Sequence, residues 1–209
     1  RVELMFPGWS AVREALADGR HSFVNQLAPN LYNNSSTFLL GIFSGGYAVG
    51  LYTAATKVVD AISSLGYIIS STFLPYLSRS LENHRVFKRI MLSAGLGATF
   101  FLLFAADFIG RLLHHDDGPA IANLLRWASV GAFLIFTMLT YGTNYLMLRN
   151  REATVGRISL YTSVLFFLVA LALVPVYGAV GCIITIVGAR GSMAALLYLS
   201  YRRLDAARH

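Results

Sequence analysis

The amino-acid sequence predicts an all-α, polytopic membrane protein of six transmembrane helices, and three observations carry that prediction. Charged residues make up 13% of the 209-residue chain and apolar ones 56%, whereas soluble domains carry about 25% charge. The apolar residues gather into six long segments, each close to the about 20 residues that a helix needs to cross a ~30 Å hydrocarbon core. Lysine and arginine alternate with those segments, 13 of the 17 falling on one side of the bundle and one, Arg111, on the other. Basic residues collect on cytoplasmic loops, so both termini are expected in the cytoplasm and the number of spans is expected to be even.

Residues 1–21 read as a cytoplasmic linker with a short surface helix, Ser10 capping it and Gly19 ending it. The first span covers about 23–45, and the cluster Gly45, Gly46 and Gly50 turns the chain into the second, about 49–77. Arg79, Arg85, Lys88 and Arg89 form a basic connection to the third, about 90–109. A polar loop with His114, His115, Asp116 and Asp117 precedes the fourth, about 120–148, with Pro119 suited to its first turn. Arg149, Arg151 and Arg157 mark the next basic loop, before the fifth span at about 158–174. Pro175 to Gly178 makes a tight turn into the sixth, about 179–201, and residues 202–209 form a basic cytoplasmic tail. The chain opens on Arg1 with no signal sequence, which reads as a piece of a longer protein.

Several function classes are disfavoured at once. A net charge of +7 would suit nucleic acid, but the basic residues sit between apolar runs rather than in one stripe, so no nucleic-acid partner is expected. Cys182 is the single cysteine, which excludes an internal disulfide framework. The His114–Asp117 run reads as an exposed loop tip rather than a metal site, and no nucleotide-binding or hydrolase motif appears. No catalytic residue and no metal ligand is therefore assigned.

Polar residues inside the spans need partners or a wet cavity. The first span carries Gln26, Asn30, Asn33, Thr37 and Ser44 at helical spacing, with Asn34 beside that face. The second repeats the pattern with Thr53, Thr56, Lys57, Asp60, Ser63, Ser64, Tyr67 and Ser71, and the fourth with Arg126, Ser129, Thr137, Thr140, Tyr141 and Asn144. The third span is nearly pure Leu, Phe, Ala and Ile, and the fifth is apolar beyond its first turn. The expectation is that spans one, two and four line an aqueous interior, while three and five face mainly lipid or pack as struts. The competing reading makes these residues interhelical hydrogen-bond glue. Lys57 either reaches the outer surface or pairs with Asp60 one turn deeper. Arg190, in the middle of the sixth span, is the leading candidate to contact an anionic group, against the alternative of an ion pair with Asp60. The candidate cavity set is Asn30, Asn33, Asn34, Lys57, Asp60, Arg126, Tyr141, Asn144 and Arg190.

The stretch VGLYTAATKVVDAI at 49–62, followed by ISSTFLPYLSR at 69–79, resembles the polysaccharide transporter family, the O-antigen flippases of the MATE-like superfamily. The lead-in REALADGRHSFVNQLAPNLYNNSSTFLLGIF at 13–43 and the turn VPVYGAVG at 174–181 fit the same family. The resemblance implies two pseudo-symmetric six-helix lobes around a central cavity, with this chain as the carboxy-terminal lobe and the amino-terminal lobe missing. It implies flipping of undecaprenyl-diphosphate-linked oligosaccharide across the bacterial inner membrane for surface polysaccharide biosynthesis. Partners on that reading are the lipid-linked oligosaccharide, membrane lipid, the missing lobe and the polysaccharide polymerase machinery. No cofactor is implied beyond a coupling ion, H+ or Na+. The alternatives are a drug or cation antiporter of the same superfamily and a flippase for lipid-linked peptidoglycan precursors. From other classes come a membrane-embedded glycosyltransferase or ligase, disfavoured because no loop exceeds about a dozen residues, and a structural scaffold.

Overall fold

A helix of 71 residues would be about 107 Å long if straight, more than three times the thickness of a hydrocarbon core. α1, Trp9–Arg79, has that many residues and is not straight. In the computed structural model, which describes residues 9–79 and 84–206 and side chains from Asn34 onward, α1 breaks at Gly45, whose φ of 80° and ψ of 173° lie outside the helical region. That region is essentially reserved for glycine. A Cβ placed on Gly41 would lie 3.7 Å from Val49 Cγ2, although eight residues of straight helix advance about 12 Å. The chain therefore folds back on itself, and α1 is a hairpin of two arms, 9–44 and 46–79.

α2, His84–Leu113, runs to the 114–117 loop, after which α3 begins at Gly118 with proline in its first turn. α3 is helical over Gly118–Met138 and continues through a π-helical stretch, Leu139–Leu146, into a short 3-10 turn, Met147–Arg149. Asn150, at φ 56°, ends it in the left-handed region that asparagine tolerates. α4, Glu152–Ala206, is a second hairpin. Its break falls at Gly178 (φ 53°, ψ −130°), three residues after Pro175. A Cβ on Gly181 would meet the Leu173 carbonyl at 2.6 Å, so here too residues eight apart are brought together. The two turns are neighbours, Ser44 Oγ lying 3.2 Å from a Cβ built on Gly178.

The packing follows from these hairpins. α1 lies mainly against α4, and α2 against α3. Near the glycine turns the core is built of Leu40, Tyr52, Ala55, Val59, Leu102, Leu125, Val174 and Ile183. At the other end Leu77, Phe87, Met91, Phe136 and Leu139 form a second core. Phe136 fits there because Gly66 and Gly95 face it; a Cβ on either would stand 2.9 or 2.8 Å from its ring or Cβ.

Polarity is inverted relative to a water-soluble fold. Phe104 is 84% exposed and Leu112 74%, while Thr140 and Asn144 are fully buried. The exposed apolar residues of α2 and of the first arm of α4 (Phe100, Phe108, Tyr161, Val164, Leu168) form the extended apolar faces that soluble monomers avoid. Among the described residues four helices are long and apolar enough to cross a membrane, and the chain is a multi-pass membrane protein. The sequence predicts that a surface helix ends at Gly19, but the helical backbone runs on through that residue from Trp9. Residues 1–8 of the predicted linker and the last three of the predicted tail lie outside the described residues.

Candidate functional site

The second arm of α1 presents Tyr52, Thr56, Asp60, Ser63 and Tyr67 at spacings of three and four, one stripe along one helical face. Thr53, Lys57 and Ser64 flank it. The first arm adds Asn34 and Thr37, α4 adds Ile186 and Arg190, and α3 adds Ile135. Together they border an open groove of about 460 Å³, within the about 300–1,000 Å³ of small-molecule sites.

Charge in the groove is arranged unevenly. Arg190 Nη2 lies 3.4 Å from Asp60 Oδ1, with the arginine side chain 11% exposed and the aspartate 52%. Tight charge-assisted bonds are shorter, about 2.7–2.9 Å, so the guanidinium keeps donors for a further anion. It passes directly over Gly131, where a Cβ would stand 3.1 Å from Nη1. Lys57 is exposed and forms no ion pair among the described residues; the partner offered to it by spacing, Asp60, is taken by Arg190 instead. Several hydroxyls of the stripe are tied locally. Thr56 Oγ1 donates to the Tyr52 carbonyl at 3.0 Å and Ser64 Oγ to that of Ala61 at 2.6 Å. Ser63 is buried, and its Oγ has no hydrogen-bond partner. The groove is thus an anion-attracting surface with hydroxyl and amide groups around two cations and one carboxylate.

Of the residues singled out by sequence, Asn34, Lys57, Asp60 and Arg190 come together here. The side chains of Asn30 and Asn33 lie outside the described residues. The other three stand elsewhere. Arg126 donates to Asp107 Oδ2 at 2.5 Å, joining α3 to α2, and both side chains are substantially exposed. Tyr141 packs in an aromatic cluster, its ring 5.2 Å from that of Tyr198 and 4.9 Å from that of Tyr201. Asn144 is fully buried and donates to Ser70 Oγ at 2.6 Å and to the Leu139 carbonyl at 3.1 Å. It bridges α3 to α1 and occupies a π-helical turn.

The fourth span borders the groove through Ile135, while the polar residues expected to line it stand elsewhere. α3 is the most buried of the spans, and its polar residues are spent on packing. Thr137 and Thr140 bond the carbonyls four residues back, Ser129 bonds that of Arg126, and Thr99 of α2 donates to the Ser129 carbonyl. α4 supplies the groove's other charged wall, through Arg190. Tyr52 is a lining residue that the sequence reading passed over, although its place four residues before Thr56 put it on the stripe. Ile135 and Ile186 carry no such signal. In the 114–117 loop, His114 Nδ1 lies 3.3 Å from Asp117 Oδ2, and Asp117 also accepts from Tyr47 at 2.5 Å. No metal-ligand cluster exists among the described residues.

Long apolar faces outside, a charged and hydroxylated groove within, and hairpins joined by glycine turns define a multi-pass membrane protein with a hydrophilic site. Comparison with known proteins narrows the class. Residues 1–81 match the family model described as polysaccharide biosynthesis protein, a span that includes the whole of the polar stripe. Over 202 residues the chain is 27% identical to the "Putative O-antigen transporter" of Escherichia coli (strain K12), covering 91% of this chain and 48% of that protein. Both similarities are to the polysaccharide and O-antigen transport proteins that the motifs resemble. The chain spans about half the length of this curated relative. No solved structure matches the chain.

Proposed function

We infer that the chain is one six-span lobe, the carboxy-terminal half, of a transporter that flips undecaprenyl-diphosphate-linked oligosaccharide across the bacterial inner membrane. The observation that carries the reading is the groove in which Lys57 and the loosely paired Arg190 stand among hydroxyl and amide groups. A saccharide head cannot enter hydrocarbon unaided, because each buried hydroxyl forfeits its bonds to water. Asn34, Thr37, Thr53 and Tyr67 offer replacement partners, and the two cations attract the diphosphate. The hairpin breaks at Gly45 and Gly178 support six crossings, and the distribution of arginine and lysine supports cytoplasmic termini. A second lobe, supplied by the rest of a longer protein, would close the groove and rock against this one to give alternating access. A coupling ion, H+ or Na+, would act through Asp60.

A cation antiporter would favour an excess of carboxylates, and the groove holds two cations against one. The test is complementation of a strain lacking its own O-antigen flippase with the full-length parent protein. Lys57→Ala combined with Arg190→Ala should abolish surface O-antigen while the protein reaches the membrane at the normal level. Normal O-antigen from the double variant would refute the assignment.

A further inference from the structure

Beside the polar groove lies a smaller cavity of about 210 Å³, bounded by the second arm of α1, the α3 stretch around its π-helical turn, and both arms of α4. Tyr67 and Ile135 border both cavities, so the two share a wall. The chemistry changes across it. No charged residue borders the smaller cavity; Met138, Met147, Met193 and Leu197 do. Methionine is flexible and polarisable, and it lines sites that must accept chains without a fixed shape. A volume of 210 Å³ falls short of the about 300–1,000 Å³ of a self-sufficient small-molecule pocket. The cavity is therefore suited to part of a molecule whose remainder lies next door.

One buried polar atom fits this description. Ser159 is 2% exposed, borders the cavity, and its Oγ has no hydrogen-bond partner. Such a hydroxyl can lie against the π-face of a carbon–carbon double bond, a weak acceptor that prenyl chains carry and saturated acyl chains lack. A cationic groove joined to an uncharged, narrow cavity matches a ligand with an anionic head and one thin chain. It does not match a lipid with two chains.

We propose that the methionine-lined cavity holds the first units of the prenyl chain of a polyprenyl diphosphate, while Lys57 and Arg190 hold its head. The inference rests on the anion-binding reading of the groove given above. It changes the picture of transport in one respect: the chain next to the diphosphate is held inside the bundle rather than left in the bilayer.

Binding by the purified full 209-residue chain in detergent tests it with three probes: inorganic diphosphate, farnesyl diphosphate and phosphatidylglycerol. Farnesyl diphosphate should bind about tenfold or more tightly than inorganic diphosphate, and phosphatidylglycerol should not displace it. Ser159→Phe and Met193→Phe fill the cavity from opposite arms of α4. The first removes no side-chain hydrogen bond, since Ser159 Oγ makes none. Each should erase the advantage of the prenyl chain and leave the affinity for inorganic diphosphate unchanged. If one variant fails to fold, the other gives the same reading, and elution as a single species establishes which has folded. The proposal is overturned if a folded, filled variant keeps the chain advantage, or if phosphatidylglycerol displaces farnesyl diphosphate, which would make the cavity an ordinary lipid site. Either result leaves the groove assignment standing. Absence of inorganic diphosphate binding by the unaltered chain would instead remove the groove assignment, and this proposal with it.

Discussion

Removing the one carboxylate of the groove should strengthen anion binding rather than weaken the fold. Asp60→Asn keeps the shape of the side chain and deletes its charge, releasing Arg190 from a contact of 3.4 Å. The loss of stability should be small, because Asp60 is 52% exposed and exposed ion pairs contribute about 0–1 kcal/mol. The gain in binding follows from Coulomb's law. A ligand charge about 7 Å from the carboxylate is relieved of roughly 0.6 kcal/mol of repulsion at the dielectric constant of water, and of roughly 2.4 kcal/mol at an effective value of 20. Each 1.4 kcal/mol is a factor of ten, so inorganic diphosphate should bind about 3- to 50-fold more tightly. Titration calorimetry on the purified chain at low ionic strength measures this directly. Raising the salt to about 0.15 M, where the screening length is about 8 Å, should shrink the gain. Equal or weaker binding by Asp60→Asn would refute the reasoning, since it would mean that Asp60 orders Arg190 for the anion instead of competing with it.

Two further substitutions separate the groove from the scaffold. Gly131→Ala places a Cβ 3.1 Å from Arg190 Nη1, so the guanidinium must shift; diphosphate affinity should fall severalfold with little change in the thermal unfolding midpoint, and an unchanged affinity would show that the arginine position is immaterial. Asn144→Ala removes one interhelical bond, to Ser70, and one within its own helix, to the Leu139 carbonyl; interhelical bonds average about 0.6 kcal/mol with a maximum near 1.7, so the combined loss should appear as about 1–2 kcal/mol in unfolding measurements while diphosphate affinity stays as it was.

Much of this architecture was legible in the sequence because bilayer thickness and helix rise fix span length, and because glycine and proline mark the turns. Gly45 and the Pro175–Gly178 turn fell where the composition put them. The hydrophilic face of the second arm of α1 was equally visible, since spacings of three and four put its residues on one side of a helix. The α3 stripe was not. Thr53, Thr56, Thr137 and Thr140 look alike in a sequence, and Thr56 makes the same i−4 carbonyl bond as Thr137 and Thr140. What separates a lining helix from a packed one is which neighbour covers the face. That is a property of the assembled bundle, set here by Phe136 seated against Gly66 and Gly95. A single sequence carries little sign of such a long-range contact. Arg190 could be identified as costly at membrane depth, and the alternative offered for it, an ion pair with Asp60, is the contact observed, at 3.4 Å.

The depth of the cations nevertheless has a simple origin. Lys57 lies twelve residues beyond Gly45 and Arg190 twelve beyond Gly178, so each stands about 18 Å along its arm from the turn. Because the two turns lie together at Ser44 and Gly178, equal counts place the two residues at similar distances from the turns, and both border the groove. In a hydrocarbon core of ~30 Å, such a distance reaches close to the middle. On the transport reading proposed above, an anionic head would meet its strongest attraction halfway across, where the loss of hydration is greatest. The register is exposed to a direct challenge. Deleting one residue between Gly178 and Arg190 turns the arginine by about 100° and draws it about 1.5 Å toward the turn, away from Gly131 and Asp60. Diphosphate affinity should fall to that of Arg190→Ala. Retained affinity in the deletion variant would show that a flexible arginine, rather than matched arm lengths, places the charge.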